Sequence, residues 1–238
     1  IWFGTEDGLC RYDGYHVHIY RANSRNVNLL SNNNITIMNE SGSRIFIGTK
    51  NGLDILDRST NRIDRMKFAD LDKDEIRSIV VDNQGYIWVG TYLRLVRLSP
   101  DLQHCKRYDS KGLPVTSVNS IYKDNKGDIW AMFWEKGLYK YRPSIDRFEK
   151  MPKVGNLDNP FRLFQDRQGR YWLTTWADGI FSMHRPSDRT VSYRSMNITG
   201  LKDKATSNFY SIIQDEKNGY IWMVGASGLV IARPEKDS

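Results

Sequence analysis

A chain of 238 residues with 39% hydrophobic, 26% charged and 12% aromatic side chains has the make-up of an ordinary globular domain, which excludes disordered and collagen-like classes. Its net charge of +7, from 35 basic and 28 acidic residues, suits an acidic partner such as a polyanionic glycan, nucleic acid or an anionic membrane surface, and equally suits a solvated basic face. No run approaches the roughly 18 apolar residues that span a bilayer, and the start has no signal-peptide pattern.

The chain begins at Ile1, inside a motif and without Met. It is therefore expected to be a single domain, 1–238, taken from a longer protein, with any membrane attachment in absent segments. Cys10 and Cys105 fall at different places of different repeats, which is neither a disulfide framework nor a metal spacing.

Six aromatic residues, Trp2, Phe46, Trp88, Trp130, Trp172 and Trp222, head similar segments at spacings of 44, 42, 42, 42 and 50. A period of this size signals a repeat architecture. In chain order, the first copy starts directly on its head strand and so lacks an inner strand. The second carries Phe46 in place of Trp and a shortened turn at 40–44. The third gives the pattern in full: apolar Ile76, Ile79 and Val81, the turn Asp82-Asn83-Gln84-Gly85, the head strand 86–91, and a third strand 95–98.

The fourth and fifth copies repeat the Asp-x-x-Gly turn at 124–127 and 166–169, where Asp caps its own backbone and Gly supplies a positive φ. Polar turns Arg142-Pro143-Ser144, Arg185-Pro186-Ser187 and Arg233-Pro234-Glu235 precede an alternating fourth strand, at 147–151 and 189–193 in copies four and five. The sixth copy has an inserted residue in 216–219 and stops at Ser238 before an outer strand. Four short strands per module, with no amphipathic helix, predict an all-β fold: a β-propeller of four-stranded antiparallel blades, about six repeats of 42–50 residues, forming an open, incomplete ring. The head aromatics are expected between blades, with Gly4, Gly48 and Gly90 where blades approach closely.

The segments IWFGTEDGLCRYDGY from Ile1, DNQGYIWVGT from Asp82 and DNKGDIW from Asp124 resemble the two-component regulator propeller repeat, across essentially the whole chain. That resemblance implies part of a seven-bladed ring in the periplasmic sensor region of a Bacteroides-type hybrid two-component histidine kinase. It further implies an oligosaccharide ligand from glycan breakdown, a homodimer formed through the full-length protein, no direct nucleic-acid contact by this region, and kinase activity elsewhere rather than in this fragment. Phe46 and the insertion at 216–219 depart from the family pattern.

Propeller ligands are expected at loops that all blades project the same way. Four residues past each head aromatic the copies read Glu6, Lys50, Tyr92, Trp134, Trp176 and Ala226. Tyr92, Trp134 and Trp176 would form a stacking platform for sugar rings, or each would pack over its own turn. Five copies place Gly before the third strand (Gly8, Gly52, Gly137, Gly179, Gly228), whereas the third has Arg94. Either that turn has another geometry, or Arg94 is strained for a purpose and clamps a ligand carboxylate or sulfate, making the ligand acidic.

The connections at 24–34, 111–117, 155–159 and 199–208 are polar and are expected on the same face. His16, His18, His104 and His184 are scattered, and the acidic run 70–75 lacks the Gly and terminal Glu of a calcium loop, so no metal or cofactor is expected. No nucleophile elbow, phosphate loop or zinc pattern is present. Carboxylates from distant blades would leave no local spacing, so a propeller lyase or hydrolase stays open beside the sensor reading, as does a protein-interaction scaffold.

Overall fold

The computed structural model describes residues 1–23, 29–108, 116–152, 159–184, 192–195, 208–226 and 228–233. The expected Arg185-Pro186-Ser187 turn, residues 189–191 of the fifth outer strand, Pro234-Glu235 and most of the four connections between copies lie outside them. The chain divides into two compact units, Ile1–Val118 and Asn119–Ser238.

The first unit holds three antiparallel sheets. These are β1 (Trp2–Thr5), β2 (Gly8–Tyr12) and β3 (Val17–Tyr20); then β4 (Ile35–Ser41), β5 (Arg44–Thr49), β6 (Gly52–Asp57) and β7 (Arg62–Arg65); then β8 (Ile76–Val81), β9 (Ile87–Thr91), β10 (Leu95–Leu98) and β11 (Cys105–Arg107). The second unit, whose first strand begins at the boundary, holds β12 (Val118–Lys123), β13 (Ile129–Phe133), β14 (Gly137–Arg142) and β15 (Arg147–Lys150); β16 (Pro160–Gln165), β17 (Tyr171–Thr175), β18 (Ile180–His184) and β19 (Ser192–Ser195); and β20 (Phe209–Gln214), β21 (Ile221–Gly225) and β22 (Gly228–Ala232). Each sheet is an up-and-down meander in sequence order. The first and last sheets have three strands among the described residues, the first opening directly on its head strand.

Short strands hold these sheets because both faces are apolar where sheets stack. Phe46 packs with Ile76, Ile79 and Val89 of the next sheet. Trp130 meets Leu163, Tyr171 and Leu173, and Trp172 meets Phe209, Ile221 and Met223. Trp88 and Trp130 are fully buried, a class of side chain whose truncation to Ala costs about 3–5 kcal/mol. Close stacking explains Gly48, where a Cβ would lie 2.6 Å from Ile37 Cγ2 and 2.7 Å from Ile76 Cγ2.

One device recurs in the third, fourth and fifth sheets. Asp82 Oδ1 accepts the Gln84 and Tyr86 N–H groups, each at 2.9 Å, and its Oδ2 accepts Trp88 Nε1–H at 2.8 Å. Asp124 does the same for Lys126, Asp128 and Trp130, all at 2.9 Å. Asp166 does so for Gln168, Arg170 and Trp172. A single carboxylate thus closes the hairpin and satisfies the indole that the stack buries.

Asp124 also accepts Tyr171 Oη–H of the next sheet at 2.7 Å; burial, then this carboxylate, hold the phenol above the usual tyrosine range. A basic side chain covers three head indoles: Arg11 over Trp2, Arg97 over Trp88 and Lys140 over Trp130, at 5.9, 5.2 and 5.1 Å.

The terminal sheets differ. The extra residue in the last hairpin sets Asp215 seven positions before Trp222, and Trp222 Nε1 is buried without a partner. Its row reads Ile213, Trp222, Ile231, and that face leaves Ile213, Val224, Leu229 and Ile231 exposed. The first sheet likewise exposes Ile1, Phe3, Val17 and Ile19.

Asp54 on β6 is fully buried. Its Oδ2 accepts Ser31 N–H (2.8 Å) and Oγ–H (3.0 Å), while Oδ1 has no partner. Desolvation outweighs those two bonds and the Arg65 charge, raising the carboxyl to about 6. The unfolded chain then ionises first as pH rises, so the native state loses stability from near pH 4 through pH 6 and is level above it. Relative to Asp54→Asn, wild type should lose about 3 kcal/mol over that window, good to roughly 1 kcal/mol. Denaturant titrations of both proteins across pH, with the Asp54 carboxyl followed by NMR, check this; a midpoint near 4 and a flat difference would contradict it.

Candidate functional site

In the first, second and fifth sheets the turn between the head strand and the third strand is organised by a Thr at the end of the head strand. Thr5, Thr49 and Thr175 donate Oγ1–H to the carbonyl of the Gly that closes the turn, at 2.8, 2.9 and 2.8 Å. Gly8, Gly52, Gly137, Gly179 and Gly228, which precede the third strand in five copies, all have positive φ, from 86° at Gly179 to 127° at Gly8. Arg94 is not among the positive-φ residues. Its turn keeps the bond from Thr91 N–H to Arg94 O, at 2.8 Å, but Thr91 Oγ1 donates to Asp74 rather than to the closing carbonyl and accepts both Leu93 and Arg94 N–H. Arg94 thus sits in its turn without left-handed strain.

In the first unit, Tyr92 is 55% exposed, with the Arg77 guanidinium 5.6 Å from its ring centre. Arg94 turns towards the acidic run: Nη1 lies 2.8 Å from Asp70 Oδ1, and Nε lies 3.0 Å from Asp74 Oδ2 without hydrogen-bond alignment. Asp70 also meets Arg107 at 3.5 Å, and Asp74 accepts Thr91 Oγ1–H at 3.1 Å. The run at 70–75 is therefore the counter-charge of its own sheet, and Arg94 faces those carboxylates. Among the described residues no cluster of His, Cys, Asp and Glu has a metal-holding arrangement.

In the second unit the turns of the fourth and fifth sheets are one residue longer. The distance from head aromatic to closing Gly is seven positions (Trp130 to Gly137, Trp172 to Gly179) against six from Trp2 to Gly8 and from Phe46 to Gly52. The residue after each turn aromatic takes up the left-handed conformation: Glu135 at φ 57° and Ala177 at φ 76°.

Trp134 and Trp176 stand edge to face, their ring centres 5.6 Å apart at 72°. Trp176, 36% exposed, also meets Tyr210 at 5.5 Å and Phe161 at 6.3 Å, and those two meet at 5.7 Å. The structure thus joins two of the expected residues in a cluster of four rings. Phe161 and Tyr210 were missed because each is the second residue of an inner strand, read only as strand; their shared place in consecutive repeats was the available signal. Edge-to-face pairs contribute roughly 0.5–1.5 kcal/mol each, enough to hold the rings in one arrangement.

Asparagines immediately before β16 and β20 position this cluster. Asn159 Oδ1 accepts Glu135 N–H at 2.8 Å while its carbonyl accepts Trp176 N–H at 2.9 Å. One residue thereby ties both tryptophan turns together. Asn208 repeats the arrangement with Ala177 (2.7 Å) and Ala226 (3.0 Å). Asn159→Ala should release the Glu135 turn, costing about 1 kcal/mol locally. It should abolish the part of the far-ultraviolet circular-dichroism couplet that Trp134→Phe also removes. Asn159→Asp, which keeps the acceptor oxygen, should retain it; a couplet unchanged in Asn159→Ala would contradict this role.

Residues 70–93, the acidic run through the Asp82 hairpin and Trp88 strand to the Tyr92 turn, match the family model for the two component regulator propeller. No curated protein matches the chain. Among solved structures it is similar to the extracellular domain of BT3049 from B. thetaiotaomicron, described as a hybrid two component system, with 21% identity and a TM-score of 0.77 over 97% of this chain and 31% of that one. The extracellular domain of BT4673 from B. thetaiotaomicron, described as a one component system, gives 20% identity and 0.59 over 99% and 37%. Virginiamycin B lyase from Staphylococcus aureus gives 9% identity and 0.70 over 99% and 81%.

At these identities the likeness concerns the fold, a β-propeller architecture. The chain spans about a third of the two extracellular domains. The family match lies in the third sheet, residues 70–93, and the Asp-to-Trp hairpin of that matched segment recurs in the fourth and fifth sheets.

Proposed function

We propose that this chain is the ligand-sensing part of an extracytoplasmic sensor. It binds an oligosaccharide on the four-ring cluster of the second unit and passes the change to signalling domains beyond this chain. The observation that carries the reading is the cluster itself: four aromatic rings at the mouths of neighbouring repeats, one of them over a third exposed, held by Asn159 and Asn208. Indole and phenol faces pack against the C–H faces of sugar rings. The solved extracellular domains with the same fold support the sensor setting. A periplasmic location, a homodimer of the full-length protein and a kinase region elsewhere complete the reading.

An interaction scaffold is the second reading, favoured by the exposed apolar faces of the first and last sheets, since such patches mark contact surfaces. Calorimetric titration of the chain with a panel of glycan oligosaccharides separates the two. The sensor reading expects saturable binding by at least one member and a loss of about tenfold or more on Trp134→Ala with Trp176→Ala. Undiminished affinity in the double variant removes the aromatic site. Absence of binding across the panel, with concentration-dependent self-association, replaces the sensor reading with the scaffold.

A further inference from the structure

In the second unit, neighbouring inner strands are linked by a bond from the side chain at the third place of one strand to a carbonyl of the next. Ser120 Oγ–H on β12 bonds Phe161 O on β16 at 2.6 Å. Arg162 holds the third place of β16, and its Nε–H bonds Tyr210 O on β20 at 3.3 Å. A hydroxyl is enough for that carbonyl, and the third places of β8 and β20 are also serine, Ser78 and Ser211. The guanidinium brings two further NH2 groups that the link does not use.

The half-buried Arg94, Arg142 and Arg170 each face a carboxylate, at 2.8, 2.7 and 2.9 Å. Arg162 has no ion pair with any described residue, and its desolvation pulls its pKa below the ordinary arginine value. Arg162 is only partly buried, and neither of its Nη atoms is among the buried atoms that lack a partner. Its Cζ lies 5.9 Å from the centre of the Phe161 ring, the same ring that meets Trp176 and Tyr210. A partly desolvated, unpaired guanidinium beside stacked rings offers charge-assisted, bidentate bonds to an anion already close to a docked sugar.

We infer that Arg162 forms an anion subsite of the aromatic cluster and that the oligosaccharide bound there carries a carboxylate or a sulfate. This rests on the reading of the cluster as a sugar site. It places the acidic selectivity on the second unit, whereas Arg94 faces its own loop's carboxylates.

The test is calorimetry on the 238-residue chain with trigalacturonate, a 6-sulfated galactose trisaccharide and neutral galactotriose. The subsite predicts that one charged probe binds about tenfold or more tightly than the neutral one. Arg162→Ser, which installs the residue used by neighbouring strands and keeps a donor for Tyr210 O, should erase that preference without changing affinity for the neutral probe. Arg162→Lys should restore part of it. The carboxylate and sulfate arms tell the two acidic chemistries apart. Equal affinity for all three probes, a charge preference that survives in Arg162→Ser, or no binding of either charged probe overturns the subsite. Neutral binding in any of those cases leaves the aromatic site standing, and no binding at all removes both.

Discussion

A buried indole carries an N–H that must be satisfied once water is excluded, and leaving such a group orphaned costs about 1–3 kcal/mol. In this chain the carboxylate that meets the requirement belongs to the hairpin immediately before the tryptophan. Asp82, Asp124 and Asp166 each place one oxygen on two backbone N–H groups and the other on the indole six residues later. In these three repeats one side chain therefore ties the turn geometry to the indole of the sheet-to-sheet core. Phe46 is consistent with the same constraint, since a ring without a donor sits behind a short turn, Ser41 to Arg44, that carries no Asp.

The consequence for function is positional. The repeats vary at the far end of the head strand, where the equivalent turn residues are Glu6, Lys50, Tyr92, Trp134, Trp176 and Ala226. Two of these turns gain a residue, adopt a left-handed residue after the aromatic and are tied together by Asn159. Strain of about 1–2 kcal/mol at a non-Gly left-handed residue persists because an asparagine oxygen captures its N–H. Rigid placement of aromatic rings reduces the ordering cost that a sugar would otherwise meet on binding.

The blades were legible because an Asp-x-x-Gly turn followed by an aromatic strand leaves a local mark at a fixed period. The bonds that give the mark its purpose were half legible: the capping of backbone by Asp follows from turn chemistry, but the second oxygen's reach to the indole needs the twist of the hairpin. The cluster was half legible for a similar reason. Trp134 and Trp176 stand out by their place in the repeat, whereas Phe161 and Tyr210 come from inner strands that only sheet stacking brings beside them. Arg94 stood out as the missing glycine, yet its partners Asp70 and Asp74 lie about one strand pair upstream, beyond what turn spacing reports. Arg162 left no mark, since an arginine in an inner strand becomes informative only once its partners are known.

The last repeat isolates the central interaction, because its insertion separates Asp215 from Trp222 and leaves that indole N–H without an acceptor. Site-resolved hydrogen exchange of the indole N–H groups measures the difference directly. Trp88, Trp130 and Trp172 should exchange only through unfolding of their units, and Trp222 should exchange orders of magnitude faster by local opening. Equal protection of all four indoles, or rapid exchange at Trp130 with its Asp124 partner in place, would contradict the account.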